Sequence, residues 1–298
     1  MKERILNIET VHQCNCCLGC KTLHPLVSVI DLSKTNLEQQ VIKFDFYTIL
    51  MMEGEIDDVL YGRKYYDYSN ASLVFLTPGE SIKINKSKAL PSKGWLLAFH
   101  PDLISQTSLG EHIKDYSFFF YNPEEALHLS QREKAKAVEC ICNIEEELCH
   151  AIDCHSKTLI SRYIELLLDH CNRFYERQFI TRCEANKKII KKTDVLLKDY
   201  ILSGKSKCNT SPSLGYCAKR LQLSSHYFND LLQFESGKNI DEYFESKRLE
   251  MAKSMLLDSN NTVSVVTEKL GYPNIRYFSR LFKRITGVVP NNYRLSQN

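Results

Sequence analysis

"LGYPNIRYFSRLFKRITGVVPNNYR", residues 270–294, carries the pattern that decides the fold. Asn274 is a residue type that caps helix N-termini. After it, Phe278, Leu281 and Phe282 recur at three- and four-residue spacing, while Arg276, Arg280, Lys283 and Arg284 take the other side. The spacing predicts an amphipathic helix. Gly287 stands where such a helix closes through a left-handed residue.

The same unit occurs fifty residues earlier. "YFNDLLQFESG" starts at Tyr227 and "YFSRLFKRITG" at Tyr277, so Phe228 pairs with Phe278, Leu231 with Leu281, Leu232 with Phe282, and Gly237 with Gly287. Two copies are too few for a solenoid. Each copy follows a short helix and a tight turn. "SLGYCAKRLQLSS" places small Ala218 where helices cross and Ser224 as the cap, and "TVSVVTEKLGYPN" places Gly271 in the turn and Asn274 as the cap. Helix, short turn and capped helix make the helix-turn-helix plan, whose second helix enters the DNA major groove by its N-terminal residues. Two plain helical hairpins are the bland alternative. It does not account for two like-capped copies in the basic part of the chain.

On that plan the base-edge candidates are Ser225, His226, Asn229 and Asp230 in the first unit, and Ile275, Arg276, Ser279 and Arg280 in the second. Lys283 and Arg284 lie farther along and suit phosphates.

These residues resemble the AraC/XylS family of bacterial transcription regulators. The likeness covers about the last hundred residues. It is most specific in Gly-aromatic, Tyr-Phe-Ser-Arg-x-Phe-Lys, Thr-Gly and Pro-x-x-Tyr-Arg of 270–294. "ESKRLEMAKSMLL" looks like the family's linker helix, with Arg248 and Ala252 at its usual Arg and Ala places. The resemblance implies two helix-turn-helix units held so that both recognition helices enter successive major-groove segments on one DNA face. Three residues depart from it. Thr267 stands where Ala is usual, Gln222 where Gly is common, and the first recognition helix has no Lys or Arg.

Charge agrees with the position of this domain. Residues 194–298 hold fifteen Lys or Arg against ten Asp or Glu, and the rest of the chain is slightly acidic, within a net charge of +3. A basic C-terminal third points to a polyanion partner.

The remaining two thirds read as strands and then helices. "LVSVID", "VIKFDFYTILMM", "SLVFLT" and "GWLLAF" are β-branched or aromatic runs separated by breakers. They suggest a small, cupin-like β-barrel over 1–122. From 123 to 182 the pattern is helical, with Ser130 as N-cap, Glu133 three residues on, and a stripe of Ile160, Ile164, Leu167, Leu168, Cys171 and Phe174. That stripe needs a partner, and a homodimer through it is the expectation. Residues 183–193 read as a linker of uncertain helicity, 202–213 as a polar loop, and 194–298 as the DNA-binding domain. The fold class expected is α+β: barrel with helical hairpin, then an all-α double helix-turn-helix. "HPLVSVIDLS", "YGRKYYDYS", "FHPDLI" and "IELLLDHCNRFYERQF" also resemble, more loosely, the sensor domain of a subgroup typical of Bacteroides-like bacteria. This implies an effector or dimerisation role without naming a small molecule.

"HQCNCCLGCKTLHP", residues 12–25, packs Cys14, Cys16, Cys17 and Cys20 between His12 and His24. The pairs Cys14/Cys17 and Cys17/Cys20 share a thiol, which suits tetrahedral zinc poorly and soft Cu(I) better. The frame around them matches the subgroup, so the expectation is no metal and no cofactor, with all four thiols replaceable by Ser. The competing reading is a metal- or thiol-sensing barrel whose helical tail binds a protein partner. No catalytic constellation is present: His100 lacks a second barrel histidine, Ser92 near Gly94 lacks a nucleophile elbow, and no phosphate loop occurs. The N-terminus lacks an apolar signal core, and no apolar run is long enough for a bilayer. A cytoplasmic regulator acting on double-stranded DNA, with no membrane contact and no enzymatic activity, is the reading that results.

Overall fold

The computed structural model describes residues 5–35, 41–53, 62–65, 67–83, 93–204, 211–258 and 260–297. Ser92 and residues 205–210 of the polar loop lie outside them. The chain divides into two compact units, Met1–Arg182 and Cys183–Asn298.

The first unit begins with β1 (Ile5–Ile8) and α1 (Val11–Cys17), followed by β2 (Val27–Asp31), β3 (Val41–Phe44), β4 (Tyr47–Met52), β5 (Ala71–Leu76), β6 (Glu80–Lys83) and β7 (Gly94–Phe99). Two short helices, α2 (Pro101–Ile104) and α3 (Ser108–His112), lead to β8 (Leu127–Leu129) and the long helices α4 (Gln131–Leu148) and α5 (Ser156–Thr181). Strands β1-β3-β6 form one sheet and β2-β7-β4-β5-β8 another. Among the described residues no strand pairing joins the two into a closed ring, so the sheets are open and packed face to face.

The apolar run 41–52, read as one stretch of strand, is two strands in different sheets. The chain turns at Asp45 and Phe46, and the Asp45 amide donates to Ile8 O at 3.0 Å. The larger sheet is covered on both faces. Ile49, Met51, Leu73, Phe75, Leu97 and Phe99 meet the helices, whereas Leu50, Met52, Val74, Leu76, Leu96 and Ala98 meet the smaller sheet. Double burial explains why "ASLVFL" is apolar almost throughout instead of alternating. Gly94 sits at φ 142° where a Cβ would come within 2.1 Å of Met51 O, so β7 can start beside β4 only with glycine there.

Ser130 and Glu133 close a capping box on α4: the Glu133 amide donates to Ser130 Oγ at 3.3 Å and the Ser130 amide to Glu133 Oε2 at 2.8 Å. Arg177 of α5 grips the same carboxylate with Nε and Nη2 at 2.9 and 2.8 Å. The α5 stripe does not face outward. Ile160, Ile164, Leu167, Leu168 and Cys171 are buried in the first unit's own core and Phe174 packs against it, because the larger sheet offers that face a surface. The stripe therefore gives no ground for a dimer.

The second unit contains α6 (Cys183–Leu202), α7 (Leu214–Leu221), α8 (Ser225–Ser236), α9 (Ile240–Leu257), α10 (Val263–Lys269), α11 (Ile275–Thr286) and α12 (Pro290–Gln297). Residues 183–193 are helical, and Ile190 packs on the core that Leu197 and Ile201 enter from the same helix. Phe228, Leu232, Phe244, Ala252, Leu256, Phe278 and Phe282 complete that core. Thr267 is accommodated in it, its hydroxyl donating to Val263 O at 2.7 Å, one turn back.

Both turns pass through a left-handed residue, Gly271 at φ 73° and Gln222 at φ 60°. A side chain in that region costs roughly 1 kcal/mol. Gln222→Gly should therefore raise the stability of the second unit by about 0.5–1 kcal/mol, read as a higher urea midpoint at unchanged m-value.

Candidate nucleic-acid interface

The two recognition helices start alike. The Tyr227 amide donates to Ser224 Oγ at 3.2 Å, and the Tyr277 amide donates to Asn274 Oδ1 at 2.8 Å. They also end alike, α8 through Gly237 at φ 67° and α11 through Gly287 at φ 80°. These caps fix where each helix begins and so which side chains its first turns present.

Their surfaces differ. On α11, Ile275, Arg276, Arg280, Lys283 and Arg284 are exposed, Ser279 is half-buried, and Phe278 and Phe282 anchor the opposite face. Arg276, Arg280 and Lys283 follow one another at i, i+4 and i+7, so their charges lie in one stripe. On α8, His226 is exposed, while Ser225, Asn229 and Asp230 are half-buried. Asn229 Nδ2 donates to Asp230 Oδ1 at 3.3 Å, so each occupies part of the other's hydrogen-bonding capacity. The four α11 cations are thus presented together, and the α8 group carries no positive side chain of its own.

Arg248 of α9 fastens that helix to the second helix-turn-helix from inside. It is fully buried, donates through Nε to Leu270 O at 3.1 Å and through Nη1 to Glu245 Oε1, and lies 3.7 Å from the Tyr272 ring centroid. Arg294 of α12 donates through Nε to Leu256 O at 2.9 Å and through Nη2 to Asn261 O. The roles of these two arginines were not legible in the charge pattern, which treats every Arg as surface. The signal available was position: each stands at a fixed place in the quoted motifs, away from the amphipathic stripe.

The model of a helix-turn-helix family matches residues 217–296. This stretch is a helix-turn-helix domain. The chain is 38% identical over 82 residues to "Uncharacterized HTH-type transcriptional regulator YtdP" of Bacillus subtilis (strain 168), covering 28% of this chain and 11% of that protein. It is 40% identical over 68 residues to "Uncharacterized HTH-type transcriptional regulator YobQ" of the same organism, covering 23% and 28%. It is 32% identical over 79 residues to "HTH-type transcriptional activator RhaR" of Yersinia pseudotuberculosis, covering 26% and 27%. The chain thus spans between 11% and 28% of the length of these relatives.

The cysteine segment lies in the other unit, on α1 and the turn after it. Cys14 is buried between the sheets, and burial pushes its thiol up to about 12, where it stays protonated. Cys16 and Cys17 are exposed, with Cys16 Sγ 3.5 Å from His12 Nε2. His24 is turned to other use, accepting the Leu26 amide at Nδ1, 3.1 Å away. Among the described residues no three His, Cys, Asp or Glu side chains are grouped to hold a metal. Burial also corrects the expectation that all four thiols are equally replaceable. Cys14→Ser puts a hydroxyl into an apolar core and should cost the first unit about 1–3 kcal/mol. Cys16→Ser and Cys17→Ser should stay within about 0.5 kcal/mol, all three read by thermal melts under reducing conditions.

Proposed function

We propose that this chain is a sequence-specific DNA-binding transcription regulator of the AraC/XylS type, with the N-terminal unit as its effector or dimerisation part. One observation carries the reading: two like-capped helix-turn-helix units share a core, and the second presents Arg276, Arg280, Lys283 and Arg284 along its outer face. Such a stripe fits the major groove, where Arg276 and Arg280 reach base edges with Ile275 and Ser279, and Lys283 and Arg284 meet phosphates. Ser225, His226, Asn229 and Asp230 are the corresponding readers of the first unit, with a smaller share of the affinity.

Membership of the Bacteroides-like subgroup rests on the quoted N-terminal motifs. A sensor unit derived from a barrel rests on the two packed sheets, and a small-molecule effector is its natural ligand class. A homodimer would use the outer side of α5, where Leu159 and Leu166 are exposed seven residues apart. Activation is the sense favoured by the name of the RhaR relative. A cytoplasmic location follows from DNA as the partner. No described helix is long and apolar enough to cross a membrane.

The experiment is a hydroxyl-radical footprint of the full chain on duplexes selected from a random pool. Two protected patches about one helical turn apart on one DNA face are expected. A single patch, or selection that enriches no sequence, contradicts the double-reader proposal.

A further inference from the structure

His12 and Cys16 are both exposed and lie one turn apart on α1, with His12 Nε2 3.5 Å from Cys16 Sγ. The other ring nitrogen, Nδ1, is 2.9 Å from Thr22 Oγ1. Thr22 Oγ1 also accepts Asn15 Nδ2 at 3.2 Å, and Asn15 Oδ1 accepts the Ser28 hydroxyl at 2.6 Å. Asn15 and Ser28 are buried, so this line of bonds runs from strand β2 to the surface and sets the orientation of the imidazole. Val11, Cys14 and Leu18 pack into the core between the sheets and hold α1 in place beneath the pair.

A thiol, a histidine in reach of it and a third group that orients the histidine are the parts of an activated nucleophile. Thr22 Oγ1 has two lone pairs, one for Asn15 Nδ2 and one for the Nδ1–H of His12. In that tautomer the Nε2 lone pair faces the Cys16 thiol and is placed to accept its proton.

The other thiols lack this setting. Cys14 is buried, and burial pushes it up to about 12. Cys20 is half-buried and donates to Leu18 O at 3.6 Å, and burial followed by the nearby Asp31 charge raises its pKa. Both therefore stay protonated and react slowly, because the thiolate is the attacking form. Cys17, Cys149 and Cys154 are exposed, but among the described residues none has a histidine nitrogen in hydrogen-bond reach.

We propose that Cys16 is a thiol-exchange site that captures a low-molecular-weight disulfide, with His12 as the base and Thr22 as its positioning residue. The Cys16 thiol gives its proton to His12 Nε2, and its sulfur attacks one sulfur of the disulfide. A new S–S bond to Cys16 forms, the original S–S bond breaks, and its electron pair leaves on the other sulfur. That thiolate takes the proton back from His12, so a thiol and a disulfide become a mixed disulfide and a free thiol. The site belongs to the first unit, and its test is independent of whether the second unit reads DNA.

The test treats the reduced full-length chain with excess hydroxyethyl disulfide, a small neutral probe, and follows each cysteine by peptide mass mapping. Cys16 should be labelled roughly tenfold or more faster than Cys17, Cys149 and Cys154, the exposed thiols that serve as internal standards. A positioned general base typically contributes about 10²–10⁴-fold, and exposure to water lowers that figure here. His12→Gln should bring Cys16 down to the rate of the standards, while their rates and the melting temperature stay unchanged. Thr22→Val should slow Cys16 severalfold, and Thr22→Ser should restore it. Three results overturn the proposal. They are a Cys16 rate equal to the standards, a Cys16 rate that His12→Gln leaves unchanged, or an internal disulfide that forms as fast in Cys16→Ser as in the parent.

Discussion

Arg248→Ala is expected to destabilise the second unit by about 3–5 kcal/mol, a cavity cost added to the loss of buried hydrogen bonds. The side chain is fully buried, and its removal strands Leu270 O at the end of α10. It also takes away the guanidinium that stacks on Tyr272 at 3.7 Å and lies 5.5 Å from the Phe244 ring centroid. Desolvated cation–π contacts are worth about 2 kcal/mol. Arg248→Lys should recover little, since an ammonium has neither the planar fork nor the stacking face. Residues 183–298 contain no tryptophan, so the measurement is a urea titration followed by helical circular dichroism. DNA binding should fall with folding in both variants. A loss under about 1 kcal/mol would mean that α9 does not hold the second helix-turn-helix through this residue.

The second large effect concerns unequal work by the two recognition helices. Arg280→Ala should cost about 1–3 kcal/mol of specific binding, the value of a bidentate arginine–guanine contact. Asn229→Ala should cost less, because Asn229 is half-buried and already bonded to Asp230. Asp230→Asn should raise affinity for scrambled DNA a few-fold, since it removes a carboxylate from the surface proposed to face phosphates. Titrations of the three variants against a selected duplex and its scrambled version decide the matter. Equal losses from Arg280→Ala and Asn229→Ala would make the two units comparable readers.

What was legible in the sequence was what is local. Ser224 and Asn274 as caps, the glycines closing α8 and α11, and the inward Phe278 and Phe282 are set by spacings of three and four residues, which a helix fixes by itself. The Ser130–Glu133 box on α4 belongs to the same class. The sheets were less legible, because their order β2-β7-β4-β5-β8 depends on pairings far apart in the chain. Strand β1 and its parallel pairing with β3 went unread, since four residues at the chain start carry little pattern. The run 41–52 hid a change of sheet at Asp45, and the α5 stripe announced burial without naming its partner. At the candidate interface, exposure and charge on α11 were readable, but the Asn229–Asp230 bond, the buried Arg248 and the buried Tyr272 hydroxyl, without a partner among the described residues, are tertiary facts.

The central claim is that the second unit is a DNA reader, and the direct measurement is duplex binding by residues 183–298 across a salt series. Starting at 183 keeps the whole of α6, whose Ile190, Leu197 and Ile201 belong to the domain core or pack on it. The fragment should bind duplex DNA and lose roughly tenfold or more in affinity between about 50 and 200 mM salt, as expected when two or more phosphates are neutralised. A fragment that is folded by circular dichroism yet shows no affinity at about 50 mM salt, or an affinity indifferent to salt, would contradict the account.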